Sequence, residues 1–318
     1  MDCCDRLAFL ASLSVALYGT SARSDAAEPA VAPANVKGSR TRVVLLGTAG
    51  GPALRPGRVS PSAAVVVDDV AYVVDCGYGV GRQLVGAKIS PLAVRHVFIT
   101  HHHSDHNADL GNLLVLMWAT GLRTQVDVWG PPALARLVDL ALQYHAYDIG
   151  IRIPDEGRVD PRPLFVPHEI GPGVVMQDER VKVTALLVNH PPVKPALAYK
   201  FETPDRVIVF SGDTTYWEPL VAFASGADLL VHEVLMVSAL DRLLALVPNA
   251  TRLREHIVGA HTDVADVGRI AAATKVKRLA LTHFVPSYDP TLSDEDWAKP
   301  VRAHYGGEVV VGRDLLEV

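Results

Sequence analysis

The chain has 318 residues, of which 49% are hydrophobic and 20% charged, and its formal net charge at pH 7 is −5. This composition is typical of globular proteins and excludes general disorder. The net negative charge gives the chain no overall attraction to polyanions, so nucleic acid is disfavoured as a partner.

The first 22 residues are typical of an export signal. An apolar run at residues 7–16 follows a basic residue, and small residues come next at positions 20–22. The run is too short to span a membrane comfortably, so we expect no stable membrane insertion. We predict a periplasmic or secreted protein. Asp2 and Asp5 dilute the positive charge of such signals, which leaves open the alternative of a cytoplasmic protein with an N-terminal extension.

A linker is predicted next, because residues 23–40 are rich in Ala and Pro and show no periodicity. We expect the folded domain to cover residues 41–318. Of the three cysteines only Cys76 falls in this domain, so a mature chain could form no internal disulfide, and we interpret Cys76 as a buried structural thiol.

Strands and helices alternate along the predicted domain. Short β-branched runs bounded by turn residues predict strands at residues 43–46, 63–67, 71–74, 96–100, 126–129, 181–188, 196–201, 207–210, 229–232, 278–282 and 308–311. Longer stretches predict helices at residues 79–85, 108–121, 131–144, 217–224, 264–273 and 293–304. Residues 148–173 carry five prolines without a clean period, which predicts a long irregular loop. Two strand-rich halves with interleaved helices favour an α/β fold in which two sheets pack face to face with helices outside, an αββα sandwich.

The strongest chemical signal is a histidine-rich segment between a predicted strand and a predicted helix. His101 and His103 lie two residues apart, so in an extended segment both imidazoles leave from the same side. Asp105 and His106 enter the next turn and face the same hollow. Three imidazoles and a carboxylate suit zinc and related divalent ions. His102 lies between these candidates and is expected to point away from them.

Two coordination shells need more ligands than this segment offers, and three candidates follow at later strand-to-loop junctions. His190 precedes a Pro-Pro pair, Asp213 follows the predicted strand at 207–210, and His283 follows the one at 278–282. Each residue alone could equally be a hydrogen-bonded structural group. Their conjunction, in this order and context, favours a metal site.

The pattern H-x-H-x-D-H followed by His, Asp and His resembles the metallo-β-lactamase superfamily, and the likeness runs from about Thr41 to the C-terminus. Within that superfamily the chain is most similar to the branch containing ribonuclease Z and the zinc arylsulfatases. This second likeness is carried by Leu46-Gly47-Thr48 followed by Pro52, Asp75-Cys76-Gly77, Ser211-Gly212-Asp213-Thr214, His232-Glu233, His261-Thr262 and Thr282-His283-Phe284.

The resemblance implies a dinuclear hydrolase with two zinc ions and a hydroxide between them that attacks the substrate. It implies a division of the ligands in which His101, His103 and His190 hold one metal, Asp105, His106 and His283 hold the other, and Asp213 bridges both.

The resemblance also implies the catalytic residues, which are Asp105 at the metal and a pair that protonates the leaving group. In this branch a Glu and a His form that pair, and they correspond to Glu233 and His261. A structural role for His261, as the cap of the helix after it, is the alternative.

Several features weaken phosphate recognition. Ala49 stands where the branch often has Gly, and the residues before Tyr288 lack the Arg that ribonuclease Z tends to carry. The only candidate for a tRNA-binding arm, residues 148–173, holds three basic residues against five acidic ones, and an acidic arm would repel a phosphate backbone.

We therefore predict a hydrolase of a small ester-type substrate: a sulfate ester, phosphodiester, carboxylic ester or lactone. A tRNA 3′-end endonuclease of the ribonuclease Z kind is the first alternative, and a catalytically silent metal-binding protein is the second. A homodimer is compatible with the sequence, which does not determine the oligomeric state.

Overall fold

The computed structural model describes residues 40–318. The predicted export signal at 1–22 lies outside the described residues, as does the predicted linker up to residue 39. The described residues fall in one compact unit. Among them, no helix combines the length and apolar character needed to cross a membrane.

The first half of the described chain contains six strands and five helices. The strands are β1 (Thr41–Gly47), β2 (Ser62–Val67), β3 (Val70–Val74), β4 (Val94–Phe98), β5 (Val126–Gly130) and β6 (Phe165–Glu169). The helices are α1 (Val80–Gly86), α2 (Ser104–Asn107), α3 (Leu110–Ala119), α4 (Leu134–Tyr144) and α5 (Ala146–Glu156).

The second half of the described chain contains eight strands and five helices. The strands are β7 (Gly173–Gln177), β8 (Lys182–Leu187), β9 (Leu197–Glu202), β10 (Val207–Phe210), β11 (Leu229–Leu235), β12 (Arg278–Val285), β13 (Glu308–Val311) and β14 (Leu316–Glu317). The helices are α6 (Glu218–Phe223), α7 (Leu240–Ala245), α8 (Leu253–Ala260), α9 (Val264–Thr274) and α10 (Asp294–Arg302).

These strands form two seven-stranded sheets. The first has the order β14-β1-β2-β3-β4-β5-β6 and the second the order β13-β12-β11-β10-β9-β8-β7. Strands β3 to β6 run parallel in the first sheet, and β10 to β13 run parallel in the second. Parallel strands end at the same sheet edge, so each sheet offers a row of carboxyl ends from which loops can reach a common site.

Three apolar layers hold the sheets and helices together. Between the sheets, Phe98 of β4 packs edge-on against Tyr199 and Phe201 of β9, at ring-centroid distances of 5.4 and 5.3 Å. Trp118 of α3 belongs to the layer outside the first sheet, and Trp297 of α10 to the layer outside the second. The order helix, sheet, sheet, helix confirms the predicted αββα sandwich.

The prediction of a long irregular loop at residues 148–173 is wrong. Helix α5 and strand β6 occupy most of this segment. Ile149 and Ile153 lie four residues apart and pack on the core, and Arg152 pairs with carboxylates one turn before and one turn after it. Pro154 stands only two residues before the end of α5, so it interrupts little of the helix. The five prolines of this segment make its helical spacing of apolar residues hard to recognise in the sequence.

Helices α7 and α8 were not predicted either. They lie between Glu233 and His261 in the chain, and a small apolar cluster fastens them. In this cluster Leu240 and Ile257 are buried with Val285 of β12. The two helices are therefore held against the second sheet near the end of β12.

Close packing of α9 against α10 depends on a glycine. A Cβ atom added to Gly268 would lie 2.6 Å from the backbone oxygen of Val301. We expect Gly268→Ala to lower the free energy of unfolding by about 1–3 kcal/mol, because the helices must separate to admit the methyl group. Urea denaturation measures this. The control is Gly150→Ala in α5, where nothing lies within 4 Å of the new atom and a gain of about 0.5–1 kcal/mol is expected. A Gly268→Ala protein of unchanged stability would contradict the packing argument.

Candidate metal centre

The candidate metal residues meet at the carboxyl ends of strands from both sheets. His101 and His103 follow β4 in the first sheet, whereas His190 follows β8 and Asp213 follows β10 in the second. A backbone hydrogen bond of 3.0 Å from Leu197 to Thr100 ties the two sheets together beside them. The site therefore lies where the two sheets adjoin.

His283 reaches the site through a bulge rather than at a strand end. The pairing of β11 with β12 steps from Glu233 opposite Thr282 to Val234 opposite Phe284, which leaves His283 without a partner in the ladder. Its φ is 46°, in the left-handed region that few non-glycine residues adopt. A bulge re-aims one side chain without ending the strand, and here it turns the imidazole of His283 towards Asp213.

All seven predicted metal residues come together. Two groups have nitrogen and oxygen atoms close enough to share an ion: His101, His103, His190 and Asp213 form one, and Asp105, His106 and His283 form the other. A third such group joins Asp213 and His283 with His261. The first two groups match the division implied by the family resemblance.

The carboxylate of Asp213 stands at the centre of this cluster. Its Oδ2 atom lies 3.8 Å from Nε2 of His101 and 3.9 Å from Nε2 of His190, on one side. On the other side it lies 3.2 Å from Nε2 of His106 and 3.1 Å from Nε2 of His283. One oxygen atom thus adjoins nitrogens of both groups, which is the arrangement that a bridging ligand needs.

Unpartnered polar atoms show that the cluster suits divalent metal. Within the described residues, Nε2 of His106 and Oδ2 of Asp213 are buried and form no hydrogen bond, because they are 3.2 Å apart but not aligned for one. Buried polar atoms without partners are costly and rare in proteins. Imidazole nitrogens and carboxylate oxygens are the donors that zinc and similar ions bind, so the residues fit a metal pair.

Other polar groups orient the imidazoles by hydrogen bonds to the ring nitrogens that face away from the cluster. Asp75 accepts a 2.8 Å hydrogen bond from Nδ1 of His106, and it also accepts one from the backbone N–H of Thr100. Nδ1 of His190 donates to the carbonyl of Ala260 at 2.9 Å. When the outer nitrogen of a histidine donates in this way, the inner nitrogen is left as the acceptor that binds metal.

Two further unusual backbone conformations lie beside the metal residues. Asp75 has a φ of 61° although it is not glycine. Gly212, at φ 58°, has no room for a side chain, because a Cβ atom there would lie 2.5 Å from the carbonyl oxygen of Leu197. The conformation of Asp75 is strained and persists because the surrounding structure holds it, whereas the position of Gly212 admits only glycine.

The pKa values of the first group favour neutral imidazoles. Burial lowers the pKa of His101 and of His190, and burial together with His190 lowers the pKa of His103 to about 4. These three imidazoles are thus uncharged at neutral pH, which is the metal-binding form. Burial would lower the pKa of His106 too, but the surrounding carboxylates, Asp213 first, outweigh burial and raise it.

Glu233 and His261 form a hydrogen-bonded pair beside the cluster. Nδ1 of His261 lies 3.2 Å from Oε2 of Glu233, and Oε1 of Glu233 accepts from the backbone N–H groups of Thr214 and Thr262, each at 3.1 Å. Burial opposes protonation of His261, but the charge and hydrogen bond of Glu233 prevail and raise its pKa to about 9. The helix after His261 is capped instead by Asp263.

Two residues beside the ligand segment occupy the positions expected of them. Nε2 of His102 lies 3.0 Å from the carbonyl oxygen of Pro131, so this imidazole points away from the cluster. Cys76 is a buried free thiol. Neither contributes an atom to the groups that could hold metal.

Sequence reasoning missed two residues at the site. Asp75 belongs to a motif that carries the family likeness, but only the fold shows that it orients His106. His256 was not singled out, yet its ring lies 5.9 Å from that of His103. Its spacing of five residues from His261 in an unpredicted helix offered no signal.

The chain is similar to known proteins over most of its length. The profile of the β-lactamase superfamily domain matches residues 71–284. A ribonuclease Z of Mycobacterium bovis is 31% identical over 279 residues, which cover 87% of this chain and 97% of that protein. Among solved structures, the metallo-β-lactamase fold protein YhfI of Bacillus subtilis superposes with a TM-score of 0.67 at 20% identity, covering 88% of this chain and 99% of that one. The short form of human tRNase Z gives 0.63 at 21% identity, with 87% and 98% covered.

The chain therefore belongs to the β-lactamase superfamily domain family, in its metallo-β-lactamase division and ribonuclease Z branch. The protein is a metal-dependent hydrolase, and the His and Asp groups described above suit divalent ions. The likeness to arylsulfatases, drawn from sequence motifs, stays a prediction.

Asp75 offers a test of the layer behind the metal residues. Asp75→Asn keeps the size of the side chain but removes the charge that strengthens its hydrogen bond with Nδ1 of His106. We therefore expect zinc affinity to fall about 10- to 100-fold. Competition with a chromogenic chelator measures it. Asp139→Asn on the exposed face of α4 makes the same charge change and should have no effect. Equal affinities for the two variants would show that Asp75 does not orient His106.

Proposed function

We propose that the protein is a dinuclear zinc phosphodiesterase whose substrate is the 3′ end of a tRNA precursor. The observation that supports this substrate most strongly is that a ribonuclease Z relative matches along 97% of its own length. The family model, which matches residues 71–284, includes every candidate metal residue and the Glu233–His261 pair.

This proposal reverses the order of preference drawn from the sequence. A small ester-type substrate was preferred there, with the tRNA 3′-end endonuclease as the alternative, and the relatives favour the alternative. Nucleic acid then becomes the partner despite the formal net charge of −5. Net charge limits long-range attraction and carries no information about a short substrate end bound inside a cleft.

The proposed ligands follow the two groups described above. His101, His103 and His190 would hold one zinc and Asp105, His106 and His283 the other, with Asp213 placed beside both groups. When bound, such a metal pair activates water and neutralises negative charge on the group under attack. Asp105 is kept in place for this by a 3.0 Å hydrogen bond from the backbone N–H of Gly51.

The Glu233–His261 pair supplies a proton to the leaving group. Glu233 engages Nδ1 of His261, so Nε2 is the nitrogen left to donate. The charge and hydrogen bond of Glu233 raise the pKa of His261 and so favour the protonated imidazole that can donate. A leaving alkoxide such as a ribose oxygen is a strong base, and protonation as the bond breaks lowers the barrier to its departure.

The role of His261 can be separated from metal binding. We expect His261→Ala to retain its zinc and to lose about 10²- to 10⁴-fold in turnover of substrates with basic leaving groups. The loss should shrink towards nothing for nitrophenolate, which departs without a proton. Rates over a series of aryl leaving groups, with metal content by mass spectrometry, measure this.

The control for this prediction is His304→Ala, which changes an exposed histidine. Loss of zinc from the His261→Ala protein would assign His261 to the third metal-holding group, with Asp213 and His283. An equal loss for every leaving group would also contradict proton donation.

A second candidate function is hydrolysis of a small ester outside the cytoplasm. Residues 1–22 have the pattern of an export signal, and tRNA precursors are cytoplasmic. The arginines of residues 148–173 also support this candidate, because all three are paired with carboxylates: Arg152 with Asp148 and Glu156, Arg158 with Glu156, and Arg162 with Asp160. Arginines engaged in this way are less available to a phosphate backbone.

One panel of substrates decides between the two candidates. We expect zinc-loaded protein to cleave a 3′-extended tRNA precursor with a higher kcat/KM than aryl sulfate, lactone, carboxylic ester or simple phosphodiester chromogens. N-terminal sequencing of protein from the native cell should then find an uncleaved start. An intact precursor beside rapid turnover of one chromogen, with a mature N-terminus between residues 22 and 28, would establish the second candidate instead.

A further inference from the structure

His256 lies at the metal centre without belonging to the groups that could hold metal. Its ring centroid is 5.9 Å from that of His103 and 6.5 Å from that of His190. It contributes no atom to the metal-holding groups of the described residues. Its side chain is half-buried, whereas His190 is buried. His256 therefore stands beside the proposed ligands His103 and His190 without belonging to the metal-holding groups, and it is half-buried like His103.

The surrounding structure holds His256 in this position. The next residue in α8, Ile257, is buried in the apolar cluster with Leu240. One turn further on, the carbonyl of Ala260 accepts the 2.9 Å hydrogen bond from Nδ1 of His190. Residues four apart lie on the same side of a helix, so the contact that orients His190 also aims His256 at the site.

The imidazole of His256 has unused hydrogen-bonding capacity. Within the described residues its ring nitrogens form no hydrogen bond, although His102, His106, His190 and His261 each have a partner. Binding of a substrate at the metal centre would remove water from this ring. A polar group that loses water and gains no partner costs free energy, so a substrate oxygen is the favourable partner.

We propose that His256 is a substrate-binding residue that donates a hydrogen bond to an oxygen of the ester group, on the side of His103 and His190. The oxygen is one that does not leave, such as a non-bridging phosphoryl oxygen. This inference depends on the metal-dependent hydrolase and on the proposed ligands, and it does not depend on tRNA as the substrate.

His256 and His261 thereby have different tasks. His261 is paired with Glu233 and gives its proton to the leaving group. His256 has no carboxylate partner, and its hydrogen bond is made to an oxygen that stays on the product. Loss of His256 should therefore weaken binding by the same factor whatever the leaving group, whereas loss of His261 should not.

The experiment compares zinc-loaded His256→Ala, His256→Asn and His256→Gln proteins with the wild type. The control is Val258→Ala, at an exposed position in the same helix. Activity is followed on a series of aryl phosphodiesters, or on the aryl series of whichever ester class the protein hydrolyses. Binding of inorganic phosphate is followed by calorimetry, and zinc content by mass spectrometry.

We expect His256→Ala to keep its zinc and to lose about 10-fold in kcat/KM, mostly through KM, to the same extent for each leaving group. Phosphate affinity should fall by a similar factor. Asn or Gln should restore part of the loss, because each places an N–H near one of the two ring nitrogens. Val258→Ala should match the wild type.

Three outcomes would overturn the proposal. Unchanged kcat/KM and phosphate affinity would mean that His256 touches no substrate. Loss of zinc would make it a support for His103. A loss that grows with the basicity of the leaving group would make it a proton donor. Failure to cleave a tRNA precursor would overturn only the proposed tRNA substrate, since these measurements use no tRNA.

Discussion

The structure of the site depends on the buried carboxylate of Asp213. Asp213 is 2% exposed, and its Oδ2 atom lies within 4.0 Å of nitrogens from five histidines. An unpaired buried charge costs several kcal/mol. The fold must therefore place positive charge next to Asp213, either as protonated imidazoles or as bound metal. The pKa of Asp213 is held well below its usual range by His283 and His106, against the effect of burial.

Three local irregularities of the backbone lie around this carboxylate. The bulge at His283, the positive φ of Asp75 and the close approach of Gly212 to Leu197 each place a polar group where a regular strand would not. Each costs local free energy. The hydrogen bonds of Asp75 and Ala260 hold the imidazoles of His106 and His190 in place.

The sequence predicts the site better than its surroundings, for a physical reason. His101 to His106 lie within one strand-to-helix turn, so their convergence follows from short-range geometry alone. The layers of the fold were also predictable, because they follow from strand and helix periods. The bulge at His283 was not predictable from the sequence, because it is defined by pairing with a strand some fifty residues earlier. Helix α5 was missed because the prolines masked its period.

Helix α8 escaped prediction because its apolar side is narrow. Only Ile257 and Ala260 are buried in it, too few to mark an amphipathic period in the sequence. Without that helix there is no basis for placing His256, and the position of Asp75 likewise depends on how β3 lies beside β4. What sequence reasoning lacked in each case was long-range contact.

The proposed ligands come from both sheets: His101 to His106 follow β4 of the first, whereas His190, Asp213 and His283 belong to the second. Metal that joins them also joins the sheets, so its binding free energy adds to the free energy of folding. Free metal at a hundred times its dissociation constant would add about 2.7 kcal/mol, which lowers the unfolded fraction about a hundredfold. In a cell starved of metal, proteases would then clear the unfolded chains. The abundance of the protein, and not only its turnover, would follow the metal supply.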